Sequence, residues 1–168
     1  LLQYKSLEHL EDIAFDCRSI SNERIFEILA KAPHLHEVSI QQADWGELKP
    51  DIVAALNLPK VKKISFSNSE VSGEFFSALL AKLPSIEELD LHLSTINLSE
   101  LQNTLLDIPH LHTISLSRGN YVEEQDWSKS DLLKLDLKNV KKISFFRQVM
   151  SDEFLGTLLS KLPSIEIF

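Results

Sequence analysis

The chain has 168 residues, 43% of them hydrophobic, enough to bury one elongated core, and it reads as a single domain over 1–168. Its 25 acidic against 17 basic residues leave a formal net charge of −8, opposite to the basic footprint that general nucleic-acid binding requires. The one cysteine, Cys17, excludes an internal disulfide framework and points to a reducing compartment, and no apolar run approaches the roughly 18 residues of a membrane span.

In chain order, residues 1–5 read as the end of a preceding helix. An apolar pattern x-x-spaced then x-spaced follows at Leu10/Ile13/Phe15. It returns at Leu35/Val38/Ile40, Val61/Ile64/Phe66, Ile86/Leu89/Leu91, Leu111/Ile114/Leu116 and Val140/Ile143/Phe145, at intervals of 25 to 29 residues. The last two members of each set alternate with polar residues, as a short strand with one buried face does. Five residues beyond each set sits another apolar residue: Ile20, Trp45, Val71, Ile96, Tyr121 and Met150. These belong to the core, Tyr121 with its hydroxyl reaching solvent. A fixed period of this length is the signature of stacked repeats, each covering its neighbour's apolar face.

Between the strands the apolar spacing changes to three and four. Glu74–Leu83 reads as an amphipathic helix, and Ser72 and Ser151 stand at N-cap positions with Glu74 and Glu153 in the first turn. Pro50 suits a first helical position, while Pro33, Pro59, Pro84, Pro109 and Pro163 stop each helix before the next strand. The longest irregular stretch runs from Ser117 to Ser130, with Glu123-Glu124-Gln125-Asp126 as a solvated loop or first helical turn. Ile165–Phe168 opens a seventh strand, and neither end carries a polar cap, so the chain reads as an excerpt of a longer array.

A longer period lies over the short one. Val61-Lys62-Lys63-Ile64-Ser65-Phe66 returns as Val140-Lys141-Lys142-Ile143-Ser144-Phe145, and Leu79–Glu87 returns as Leu158–Glu166 with one substitution. Pro33-His34-Leu35-His36 likewise pairs with Pro109-His110-Leu111-His112. Duplication of a three-repeat block accounts for all three.

One strand and one helix per 25 to 29 residues resembles the leucine-rich repeats, in particular their ribonuclease-inhibitor-like class, over essentially the whole chain. The resemblance implies an α/β horseshoe arc with a parallel sheet on the concave face and helices on the convex face. It would hold about six repeats and partial repeats at both ends. The family's Asn or Cys, three residues after the last strand leucine, is replaced by Arg18, Ala43, Ser69, Ser94, Gly119 and Gln148. The resemblance also implies a protein-binding module inside a larger intracellular, cytoplasmic protein. Relatives serve as ligand sensors, ubiquitin-ligase substrate receptors and secreted bacterial effectors, the last acting in the host cytoplasm.

No catalytic constellation accompanies the repeats, and the chain reads as a non-enzyme without cofactor or metal. The two His-x-His pairs, His34/His36 and His110/His112, lie three repeats apart, about 14 to 15 Å at strand spacing, too far to share one ion. They read as inherited surface residues. Cys17 has no sequence neighbour that would lower its pKa. A GTPase-activating role would rest on Arg118 and Arg147 alone. A structural spacer, with oligomer contacts through the open ends, is the remaining alternative.

Strand alternation places the outward residues in columns. Asp12, Glu37, Lys63, Glu88, Thr113 and Lys142 form the first, Ala14, Ser39, Ser65, Asp90, Ser115 and Ser144 the second, and Asp16, Gln41, Ser67, His92, Ser117 and Phe146 the third. The central column is small and mostly hydroxyl, which suits equally a crowded, solvated sheet face and a groove that admits close approach of a partner's backbone or helix. Glu88, Asp90 and Lys142 line that face. Binding anchors are sparse, and those present collect toward the C-terminal half. His92, Leu93, Arg118, Phe146 and Arg147 make the candidate patch.

Overall fold

The computed structural model describes residues 7–45, 47–48, 50–93, 108–118, 139–146 and 151–161. Its strands are β1 (Asp12–Asp16), β2 (Glu37–Gln41), β3 (Asp44–Trp45), β4 (Lys63–Val71), β5 (Glu88–Leu93), β6 (Thr113–Arg118) and β7 (Lys142–Phe146). Its helices are α1 (Asn22–Leu29), α2 (Gly73–Leu80) and α3 (Asp152–Lys161), with a 3₁₀ turn at Pro50–Val53. The fold is α/β. All pairings are parallel, in the order β1-β2-β4-β5-β6-β7, with β3 against the far end of β4, and the sheet is not closed.

Neighbouring strands pair without slippage through their first five residues. Ile13, Val38, Ile64, Leu89, Ile114 and Ile143 are opposite one another, as are Phe15, Ile40, Phe66, Leu91, Leu116 and Phe145. One device recurs at every step. The carbonyls of Glu11, His36, Lys62, Glu87 and His112 each accept two amide N–H groups from the start of the next strand, at 2.6–3.2 Å. The chain turns through left-handed backbone at Gln42 (φ 56°), just past β2, and at Asn68 (φ 51°), within β4 where its register with β5 shifts; the two are equivalent places one period apart, and Asn is enriched in that region.

Ser72 and Ser151 cap their helices as the sequence predicts, accepting from Phe75 N (3.3 Å) and Phe154 N (3.1 Å). Ser21 does the same for α1, accepting from Arg24 N at 3.4 Å. The expected helix to Leu83 ends at Leu80, with Ala81 as C-cap. Between Pro50 and Pro59 an α-helix does not form; Ile52, Val53 and Leu56 supply apolar contacts for one 3₁₀ turn, which packs against α2.

Trp45 is fully buried and joins successive segments. Its ring centroid lies 5.2 Å from Phe26 on α1, 5.6 Å from Phe66 on β4 and 5.4 Å from Phe75 on α2. Its Nε1–H donates to Asn22 Oδ1 at 2.6 Å, so the indole's polar atom is satisfied within the core. Ile20 is half-buried against the same core and Val71 is buried, as expected. Ile96, Tyr121, Met150, the 123–126 acidic run, residues 1–5 and the 165–168 strand lie outside the described residues.

The polar residue three positions past Phe66 is held inside the core by its own hydrogen bonds. Ser69 is fully buried; its hydroxyl accepts from Ala43 N at 3.1 Å and donates to Ser67 O at 3.0 Å. It thereby satisfies backbone groups of two adjacent segments. Ser69→Ala removes both bonds and leaves the Ala43 amide unpaired, at a cost of about 1–3 kcal/mol. Ser65→Ala, on the open face of the same strand, should leave the melting temperature nearly unchanged. Equal thermal melts for the two variants would contradict this role for Ser69.

Candidate functional site

The face of the sheet opposite the core is built from every second strand residue. In β2, and in β4 as far as Ser67, the alternation is complete: Val38, Ile40, Ile64 and Phe66 are at most 2% exposed, while Glu37, Ser39, Lys63, Ser65 and Ser67 are partly open. The register sets Asp12, Glu37, Lys63, Glu88, Thr113 and Lys142 side by side, then Ala14, Ser39, Ser65, Asp90, Ser115 and Ser144, then Asp16, Gln41, Ser67, His92, Ser117 and Phe146. These are the columns read from the sequence. The central one carries side chains of one to a few heavy atoms, four of them serines, so a hydroxyl-rich trough runs across the strands.

The sequence-derived patch is placed unevenly. His92, Ser117 and Phe146 are neighbours across β5, β6 and β7, and Leu93 is opposite Arg118 in the next row. Arg147 lies outside the described residues. Glu88 and Asp90 are half-buried on β5, and Lys142 is exposed on β7. His92 Nε2 sits 3.0 Å from Asp90 Oδ1, a carboxylate oxygen shielded from solvent that has no hydrogen-bond partner; protonation of the imidazole converts this contact into an ion pair.

Two further ionic features were not legible as a site. Lys63 Nζ contacts Glu37 Oε1 at 2.8 Å across adjacent strands, and that hydrogen bond raises the Lys63 pKa. One residue earlier, at the rim where the strands begin, a second column reads Glu11, His36, Lys62, Glu87, His112 and Lys141. Within it Lys62 Nζ meets Glu87 Oε1 at 2.9 Å, His112 Nε2 meets Glu87 Oε2 at 3.5 Å, and His36 Nδ1 lies 3.9 Å from Glu11 Oε2. The signal was available, since this is the residue preceding each first outward position. Reading only strand residues passed over it.

At the same rim, Glu8, His9, Glu11, His34, His36 and Lys60 line a wide cleft of about 290 Å³. Both histidines of the first His-x-His pair are exposed there, and His112 of the second is half-buried, with Nδ1 3.0 Å from Thr113 Oγ1. Among the described residues no group of three or more His, Cys, Asp or Glu is arranged to hold a metal ion. Burial and the nearby Asp16 carboxylate push the Cys17 thiol up to about 11, leaving it protonated at neutral pH and a poor nucleophile. Asp16 itself is held below the usual carboxylate range by Arg18, which binds it through Nε at 3.0 Å and Nη2 at 2.6 Å.

Scanned against protein-family models the chain matches none, and a search of curated proteins finds no match. No helix among the described residues is long and apolar enough to cross a membrane. The functional reading therefore rests on the chain's own geometry.

Glu87 gives a pH-dependent readout of the rim. The hydrogen bond from Lys62 lowers its pKa from the ordinary 4.5, partial burial opposes this, and His112 assists. A depressed carboxylate stabilises the fold above its unfolded pKa, and that contribution is lost as pH falls through the folded value. Lys62→Met should therefore move the Glu87 titration midpoint upward when followed by NMR. An unchanged midpoint would mean that the Lys62 contact is absent in solution.

Proposed function

We propose that the chain is a leucine-rich-repeat array, a solenoid arc over 1–168, whose open sheet face binds another protein. The single observation that carries this reading is a six-strand parallel sheet with one face packed and the other left to solvent. Parallel sheets are ordinarily covered on both faces, because the connections between strands are laid over them. Consecutive strands here are neighbours in sequence order, so every described helix belongs to a connection between adjacent strands or follows the last one. An uncovered parallel face is a surface with backbone already satisfied and side chains free to meet a partner.

The chemistry of that face favours a protein partner with polar and cationic or hydroxyl groups. Its middle column is hydroxyl-rich, with Asp90 as the charged exception, and acidic Asp12, Glu37 and Glu88 flank it on one side. Lys63 and Lys142 interrupt the acidic row and would fix register, since a misplaced partner charge meets a like one. His92, Leu93, Arg118, Phe146 and Arg147 supply larger anchors at the C-terminal half. Substrate recognition for a ubiquitin ligase, ligand sensing or effector activity are forms that such binding takes.

Affinity capture from a cell lysate tests the reading with three baits of matched stability. These are the parent chain, a Ser65→Trp/Ser115→Trp variant that fills the hydroxyl trough, and an Arg118→Glu/Phe146→Ala/Arg147→Glu variant. The expected outcome is a partner retained by the parent and lost by the trough variant. Loss with the third bait as well would centre the site on the C-terminal patch. Partners held equally by all three baits would place binding off this face and contradict the proposal.

A further inference from the structure

Histidine is concentrated along one edge of the sheet. Of the six in the chain, His9, His34 and His110 lie in the turns leading into β1, β2 and β6, and His36 and His112 follow two residues later at the rim. Only His92 lies elsewhere, on the open face. Aligned by the strand register, the turn residues form a column of their own: His9, His34, Lys60, Ser85, His110 and Asn139. No carboxylate stands in it.

The rim column two residues further on shows how this edge holds an oxyanion. The Glu87 carboxylate is met by Lys62 Nζ on one oxygen, at 2.9 Å, and by His112 Nε2 on the other, at 3.5 Å. The two nitrogens come from the segments on either side of it. Their hydrogen bonds hold its pKa below the ordinary value, the one from Lys62 most.

In the turn column the same two residue types are neighbours with no such carboxylate between them. His34 and Lys60 precede β2 and β4, each of which has a described strand on both sides. Both residues are exposed, and among the described residues neither takes part in an ion pair. With His9 and His36 they line the cleft of about 290 Å³, whose remaining walls are Glu8 and Glu11. The column inward of the rim adds Asp12, Glu37 and Lys63, and the last two are paired with each other at 2.8 Å.

With its imidazoles neutral the cleft is one charge negative, because Glu8 and Glu11 outweigh Lys60. Protonation of its three imidazoles makes it two charges positive, and histidine is the side chain that makes this change between about pH 5 and 8. An anion is therefore repelled at high pH and held at low pH.

We propose that the cleft at the turns before β2 and β4 binds a small multivalent oxyanion, a phosphate or a polycarboxylate, through Lys60 and the protonated imidazoles of His34, His36 and His9. Hydrogen bonds between ionised partners are the strong ones, and here they converge on one anion from three successive segments. A volume of about 290 Å³ admits a ligand of that size and no folded partner.

NMR titration of the isotope-labelled chain with pyrophosphate and, separately, with citrate at pH 6 and pH 8 tests this, at constant ionic strength. Saturable amide shifts should centre on residues 34–36 and 60–62 at pH 6, and the dissociation constant should be at least about tenfold larger at pH 8. Both probes gain negative charge as pH rises, so weaker binding at pH 8 reports the imidazoles and not the ligand. The tighter probe identifies the ligand as a phosphate or a polycarboxylate. Lys60→Ala and His34→Ala, with unchanged circular dichroism spectra, should each weaken binding at pH 6 at least about threefold. His110→Ala, in the same column but outside the cleft, should leave it unchanged. Absence of saturable binding, shifts spread over every exposed cation, an affinity that does not fall at pH 8, or an equal loss in His110→Ala would each overturn the proposal.

Discussion

The register of this sheet depends on one repeated hydrogen-bond device, a carbonyl at the rim of a strand that accepts two amides from the beginning of the next. Glu11, His36, Lys62, Glu87 and His112 supply these carbonyls, and the identical geometry at five successive steps locks the strands in register. Because side chains alternate with period two, a slip of one residue would turn the whole apolar set of a strand to solvent. The register therefore decides which residues become core and which become surface. Trp45 then couples the segments on the buried side, contacting α1, β4 and α2 through Phe26, Phe66 and Phe75. Aromatic pairs of this kind each add about 0.5–1.5 kcal/mol beyond the area they bury, so this cluster ties the three segments together.

The same device explains how much of the molecule could be read from its sequence. The outward columns were legible because the three-point apolar pattern returns six times, and alternation then assigns every strand residue a side. Helix starts at Ser72 and Ser151 were legible from a local capping signal; Ser21, at the equivalent place, carries the same chemistry with an Asn and a Glu behind it and was passed over. What depended on partners distant in sequence was not legible. The Trp45 indole finds Asn22, 23 residues away, and the Ser69 hydroxyl finds the Ala43 amide, 26 residues away. Neither bond leaves a trace in composition or spacing. The segment after Pro50 came out differently: Pro50 suits a first helical position, and the helix it opens is a single 3₁₀ turn over Pro50–Val53.

For the candidate site the division is similar. Register alone placed His92, Phe146, Leu93 and Arg118 on neighbouring strands, because columns follow from periodicity. The ionic order on the face did not follow, since Lys63 has acidic neighbours on both adjacent strands, Glu37 and Glu88, and takes Glu37 as its hydrogen-bond partner. These exposed pairs contribute little to stability, each about 0–1 kcal/mol. On the binding proposed for this face, their consequence is specificity: they fix a pattern of charge that a partner would have to match.

Cysteine accessibility tests the central claim, that alternate strand residues form a continuous open face, most directly. In a Cys17→Ser background, single Ser→Cys substitutions at 39, 65, 115 and 69 change one atom each and keep the side-chain volume close. Ser39, Ser65 and Ser115 lie in the outward column, whereas Ser69 is fully buried. The account predicts that thiols at 39, 65 and 115 react with a polar maleimide at similar rates, and that the thiol at 69 reacts only as the protein unfolds. Protection at 65 and 115 in the isolated chain would mean that something covers the face, and rapid reaction at 69 would mean that the register is wrong.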